Sequence, residues 1–161
     1  MLKDILSISG HSGLFKLVSK AKNSIIVESL TDGKRMPVYA STRISALEDI
    51  SIYTTDGDLK LAEIFIKIFE NHIEVDSKVS SDNLKKKFQE IIPNYDDNKV
   101  YVSDIKKIFT WHNLLIEKEI LSDDSIKTYK ESLEEEEKEK AENAENAEKE
   151  DTEEVKEEKS E

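Results

Sequence analysis

Three short patterns in this sequence hold residue types that can do chemistry. Gly10-His11-Ser12-Gly13 sets an imidazole beside a hydroxyl between two glycines, the ingredients of a nucleophile and its base. It is one residue short of the Gly-x-Ser-x-Gly elbow that lifts a hydrolase serine onto a strand-to-helix turn, so it predicts an exposed loop. Ser103-Asp104-Ile105-Lys106 has Ser-x-x-Lys spacing but no accompanying motif, and Ser103 is better placed to cap a helix. Residues 94–104 lie between two helical stretches as a calcium loop does. Counted from Asn94, the position that needs Gly is Lys99 and the one that needs a bidentate Glu is Ile105, so calcium is not expected there.

Other reactive side chains have no suitable company. His11, His72 and His112 share no metal-ligand spacing, and His112 falls on an apolar helical stripe, which predicts a hydrogen-bonded core or boundary histidine. The four glycines include no phosphate-binding loop, and the absence of Cys removes disulfides, thiolate metal sites and Cys nucleophiles. No catalytic residue, metal or cofactor is expected. The basic and aromatic residues that could form a ligand surface are Lys34, Arg35 and Arg43 with Tyr39 and Tyr53, joined by Trp111, which lies one position off a buried stripe. Residues 1–55 carry seven basic and five acidic side chains, a small excess for a nucleic-acid binder.

The charge is unevenly placed. Of the formal net charge of −12, residues 131–161 contribute −11, so residues 1–130 are nearly neutral. This low-complexity end has favourable pairs at Glu134/Lys138 and Glu136/Lys140 but almost nothing to bury, which predicts a disordered acidic tail with transient helix. The longest apolar runs are far short of the ~20 residues of a membrane span, and residues 1–5 do not start a secretory signal, so a cytoplasmic protein away from membranes is expected.

The elements follow from periodicity. Residues 1–54 read as short strands. Asp32-Gly33 between two β-branched runs is a type I′ hairpin signal, and Pro37 belongs on an edge. Ser45-Ala46-Leu47-Glu48 reads as a capping box for one helical turn, and Ile50 and Ile52 alternate with polar residues in a last strand. Asp58 is placed to cap a helix to about His72, with Leu61, Ile64, Phe65, Ile68 and Phe69 on one face. A second helix after Ser80 ends at Pro93, and a third starts at Ser103 and runs to about Leu121 with Ile105, Ile108, Phe109, His112, Leu115 and Ile116 inward. A weaker helix, capped by Ser122 with Ile126, Tyr129 and Leu133 on one face, follows. The expected fold is α+β: a small SH3-like β-barrel (1–55), a three-helix unit (56–130) and the disordered tail (131–161), the first two in one body.

The stretches 2–10, 13–19, 26–30 and 47–54, with Tyr101-Val102-Ser103-Asp104-Ile105-Lys106-Lys107-Ile108 and Trp111-His112-Asn113-Leu114-Leu115, resemble a family of short Bacteroidota proteins known as a domain of unknown function. The first stretches resemble its small β domain and the last two the helical domain that accompanies it. His112 stands where the family's pattern has Tyr. The resemblance covers about residues 1–121 and implies a bacterial cytoplasmic setting and a two-part architecture. It brings no activity, cofactor or site residue. The expected function is a non-enzymatic binding or adaptor module for a protein partner; the alternative is an RNA- or DNA-binding barrel through Lys34, Arg35, Arg43, Tyr39 and Tyr53, tuned by the acidic tail.

Overall fold

Alternation of apolar and polar residues in the first half is realised as antiparallel sheet. A computed structural model describes residues 1–76 and 78–158. The strands β1 (Ile5–Ile8), β2 (Phe15–Lys20), β3 (Ser24–Ser29), β4 (Arg35–Tyr39) and β5 (Ile44–Ala46) form one sheet in the order β4-β3-β2-β1-β5. Leu6, Ile8, Phe15, Val27 and Val38 bury one face of it. Pro37 lies on edge strand β4, where its missing N–H removes no bond from an inner ladder. Asp32-Gly33 does not make a two-residue turn. Of the pair only Gly33 is left-handed, and the loop spans five residues between β3 and β4, closed by Asp32 Oδ1 accepting the Lys34 N–H at 3.0 Å.

The chain is α+β, but the barrel does not close. Among the described residues β4 and β5 are the two edges of an open sheet with no ladder between them. The strand expected to finish the barrel, β6 (Ser51–Thr54), pairs instead with β7 (Gly57–Lys60) in a separate two-stranded sheet, Thr54 opposite Gly57. The cause is local. Asp56-Gly57 is a turn pair, and Gly57 at φ +121° takes a backbone conformation that L side chains rarely adopt, so the chain folds straight back on β6. Asp58 therefore sits opposite Tyr53 in a strand and caps no helix. Ser45 likewise belongs to β5, and the short 3-10 helix Leu47–Asp49 that follows has no side-chain cap.

Helix α1 (Leu61–Glu70) buries Leu61, Ala62, Ile64, Phe65, Ile66 and Ile68, over half its residues, because it lies between other elements. The 3-10 helix touches β1 on one side and α1 on the other, with Leu47 fully buried between them. Helix α2 (Ser81–Ile91) turns Leu84, Phe88 and Ile91 inward and stops before Pro93. Helix α3 (Val102–Glu117) buries Ile105, Ile108, Phe109, His112 and Leu115. Its cap lies two residues earlier than Ser103: Asp104 Oδ2 accepts the Tyr101 N–H at 3.2 Å, so Ser103 lies inside the helix. Helices α1, α2 and α3 pack on one another. The α2–α3 link is tied to β6 by Tyr95 opposite Thr54 and by the Asp96 N–H donated to the Tyr53 carbonyl at 2.9 Å.

Residues Met1–Ser122 form one compact unit and Asp123–Glu161 a second. In the second, the weak helix expected after Ser122 and the expected disordered tail are one helix, α4 (Asp123–Glu158). Its Ala, Glu and Lys are strong helix formers, and Glu and Lys recur four apart, the spacing that favours a helix. Every side chain from Glu134 to Lys149 is exposed, so the absence of burial that motivated the disorder expectation holds along the helix; residues 159–161 lie outside the described residues. Among the described residues no helix is long and apolar enough to cross a membrane.

Candidate functional site

Helix α3 carries two stripes. The inner one is the apolar stripe above. The outer one, Ser103, Lys106, Lys107, Thr110 and Trp111, has the same i, i+3, i+4, i+7, i+8 spacing and stays uncovered, with Trp111 half-buried at its edge. Other segments rise beside this outer stripe and turn it into the floor of a furrow. A hollow of about 460 Å³ lies between it and loop 10–13, lined also by Ser7 and Ser9. A second, of about 210 Å³, is shared with Ile50, Ile52, Tyr53, Val100 and Lys99. A third, of about 230 Å³, is shared with Val75, Leu84 and Phe109. The central hollow shares Lys106 and Thr110 with the third and Lys107 and Trp111 with the second, so the three adjoin one another across α3.

The central hollow has one electrostatic sign. In a chain of net charge −12, none of the residues lining it is acidic. Its polar groups are Lys106 and Lys107, the hydroxyls of Ser7, Ser9, Ser12, Ser103 and Thr110, and His11. The two ammonium groups have no ion-pair partner among the described residues, and the N–H groups of Gly10, Ser12 and Gly13 meet no protein acceptor there. Such a donor-rich recess attracts anions. It lacks an organised relay: no hydrogen bond joins Ser103 to Lys106 or Ser12 to His11 among the described residues.

The six residues expected to form one ligand surface are split by the fold. Tyr53 and Trp111 come together in the second hollow, where Lys99 Nζ lies 5.1 Å above the Tyr53 ring. Lys34 and Arg35 line a different hollow of about 390 Å³, on the far side of loop 10–13, and the Arg35 guanidinium donates to Glu28 Oε2 at 3.0 Å. Tyr39 ends β4, four residues beyond Arg35 and therefore ~13 Å away along the strand. Arg43 sits between β4 and β5, where its carbonyl accepts the Ser9 N–H. Lys106, Lys107, Ser103 and Thr110 escape a search for apolar stripes because a polar stripe resembles a solvated helix face. The second stripe at helical spacing, ending on the chain's one tryptophan, is the signal that finds them.

His112 lies outside the furrow and is buried, 3% exposed, with its ring 6.2 Å from that of Phe65. It is a core histidine, but it is not hydrogen-bonded: neither ring nitrogen has a partner among the described residues. Burial pushes its imidazole below the ordinary range, opposed only in part by the adjacent Asn113 side chain, which donates to the Val75 carbonyl. The folded state therefore holds fewer protons than the unfolded chain between the lowered value and about 6.5. Stability contributed by this group is complete above that window and is lost as the pH falls through it, with a slope of at most about 1.4 kcal/mol per pH unit. The His112→Leu variant will lose this slope and be about 1 kcal/mol more stable at pH 7.5, since the orphaned nitrogens are gone. Urea melts from pH 5 to 8 will show it; equal slopes in both proteins would contradict the assignment.

The architecture matches known proteins on both sides of the 3-10 helix. Residues 2–47 match the family model of a domain of unknown function, DUF5606, and residues 50–115 match a second, DUF6852. No curated protein matches. A structural-genomics solution NMR structure of a protein from Bacteroides vulgatus is 41% identical, with a TM-score of 0.60, and the match covers 76% of this chain and 90% of that one. With β1 to β5 and the 3-10 helix's Leu47 in the first model, β6 to α3 in the second, and that neighbour spanned almost throughout, the chain belongs to the Bacteroidota family that joins these two domains of unknown function.

Proposed function

We propose that this chain is a non-enzymatic adaptor of the cytoplasm that binds a protein partner through the furrow across α3. The observation that carries this reading is the outer stripe of α3, left uncovered yet walled by segments from three parts of the chain, with a half-buried tryptophan at its edge. Tryptophan on a recessed surface is the side chain most enriched at binding hot spots. Among the described residues no hydrogen bond activates Ser12 or Ser103, which favours binding over turnover. The nucleic-acid reading has less support. It needs Lys34, Arg35, Arg43, Tyr39 and Tyr53 on one face, and Tyr53 lies in the second sheet while Arg35 is engaged by Glu28.

The test is a paired affinity capture from the native host with the full chain and its Trp111→Ala variant. A protein retained by the parent and reduced at least tenfold on the variant is expected. A set of bound proteins unchanged by the substitution, or a catalytic turnover that survives it, would remove the reading. Binding of RNA at low salt that is lost on Lys34→Glu/Arg35→Glu would favour the alternative instead.

A further inference from the structure

The three hollows across α3 differ in chemistry in a way that describes an occupant. The central hollow offers two unpaired ammonium groups, hydroxyls and free N–H groups, and no carboxylate. The hollows on either side offer apolar walls: Val75, Leu84 and Phe109 in one, Ile50, Ile52 and Ile108 in the other. The nearest carboxylates, Asp76 and Asp104, stand in these outer hollows, so a second or third anionic group would be repelled there. The cations are Lys and not Arg, point charges that take one compact anion without the planar fork that selects a bidentate carboxylate.

We infer that the partner docks through an extended peptide segment carrying one phosphate ester, which seats against Lys106 and Lys107 while apolar side chains on either side enter the flanking hollows. This deepens the reading of the furrow as a protein-binding surface and rests on it. Charge complementarity fixes the centre, and the apolar walls fix the flanks. Residues 134–149 of this chain supply many carboxylates but only Ala as an apolar neighbour, so they offer the centre an anion without filling the flanks. An acidic stretch of that type is a poor occupant, and selectivity for the mixed segment follows from the two outer hollows.

The experiment is a fluorescence-anisotropy titration of the full chain with labelled nine-residue peptides. One has a central glutamate and leucines two residues away on each side; a second has phosphoserine at the centre; a third has serine there; a fourth is the chain's own 134–142 sequence. The phosphoserine peptide should bind at least tenfold more tightly than the serine peptide and more tightly than the glutamate peptide, and glutamate binding as tight as phosphoserine would overturn the choice of anion. The phosphoserine peptide should also bind at least tenfold more tightly than 134–142. The Lys106→Gln/Lys107→Gln variant should abolish the preference over serine, while its far-ultraviolet circular dichroism stays that of the parent. Equal binding of the serine peptide, a preference that survives the double variant, or binding of 134–142 as tight as the best peptide would each overturn the inference. Failure here with Trp111-dependent partner capture intact would leave the protein-binding reading standing and refute only the stated partner chemistry.

Discussion

Replacing Phe88 with alanine will destabilise the Met1–Ser122 unit by about 3–5 kcal/mol. Phe88 is fully buried on α2 and is the junction of three segments: its ring meets Tyr95 edge-on at 5.0 Å and Phe109 at 6.3 Å. Truncation removes both aromatic contacts and leaves a ring-sized void in a helix interface whose backbone is held by the Tyr95 bridge to β6 and cannot collapse freely. Phe109 also lines the outer part of the furrow, so the same substitution loosens the wall of the proposed binding surface. Urea unfolding followed by the fluorescence of Trp111, the chain's one tryptophan, measures the effect. A loss below about 1 kcal/mol would mean that α2 is not docked as described.

Leu47→Ala will cost about 2–5 kcal/mol and will do so in both halves of that unit at once. Leu47 is the fully buried side chain of the 3-10 helix that lies between β1 and α1, at the junction of the two family domains. If the sheet and the helices unfold together, removing their shared contact lowers the stability of both by the same amount. Native-state hydrogen exchange reads this directly. The amides of Val27 in β3 and Ile108 in α3 should lose equal protection free energy. Loss confined to β3 would show that the five-stranded sheet unfolds independently.

Much of this architecture is legible in the residues, and what is not has physical causes. The spacing of Leu61, Ile64, Phe65 and Ile68 locates α1, and Ile105, Ile108, Phe109, His112 and Leu115 locate α3, because a buried face imposes its own period. Pro37 marks an edge because it cannot donate. Barrel closure is a question of which strand pairs with which across the fold. β6 alternates as any half-buried strand does, and only the Asp56-Gly57 turn reveals that its partner is the segment Gly57–Lys60 just after it. The start of α1 moves for the same reason, since Asp58 is committed to the ladder opposite Tyr53. α4 forms on propensity and on Glu and Lys spaced four apart, without the burial that a stripe search requires.

Trp111 and Tyr53 stand out by type and do share a hollow, 58 residues apart in sequence. Lys106, Lys107, Ser103 and Thr110 look like an ordinary wet helix face until loop 10–13 is placed opposite them, some ninety residues earlier in the chain. The same folding separates Lys34 and Arg35 from Tyr39 and Tyr53, which local sequence had grouped. A pocket built from such distant segments has no local signature beyond the second stripe on α3.

The claim that most depends on direct contact is that partners meet the outer stripe of α3. Placing a photo-crosslinking amino acid at Thr110, which is exposed in the furrow, or at Val18, which is exposed on β2 away from it, and irradiating living cells of the native host compares the two surfaces. The account predicts a discrete crosslinked protein from position 110 and none of the same mass from position 18. Crosslinks of equal yield from both positions, or from position 18 alone, would contradict it.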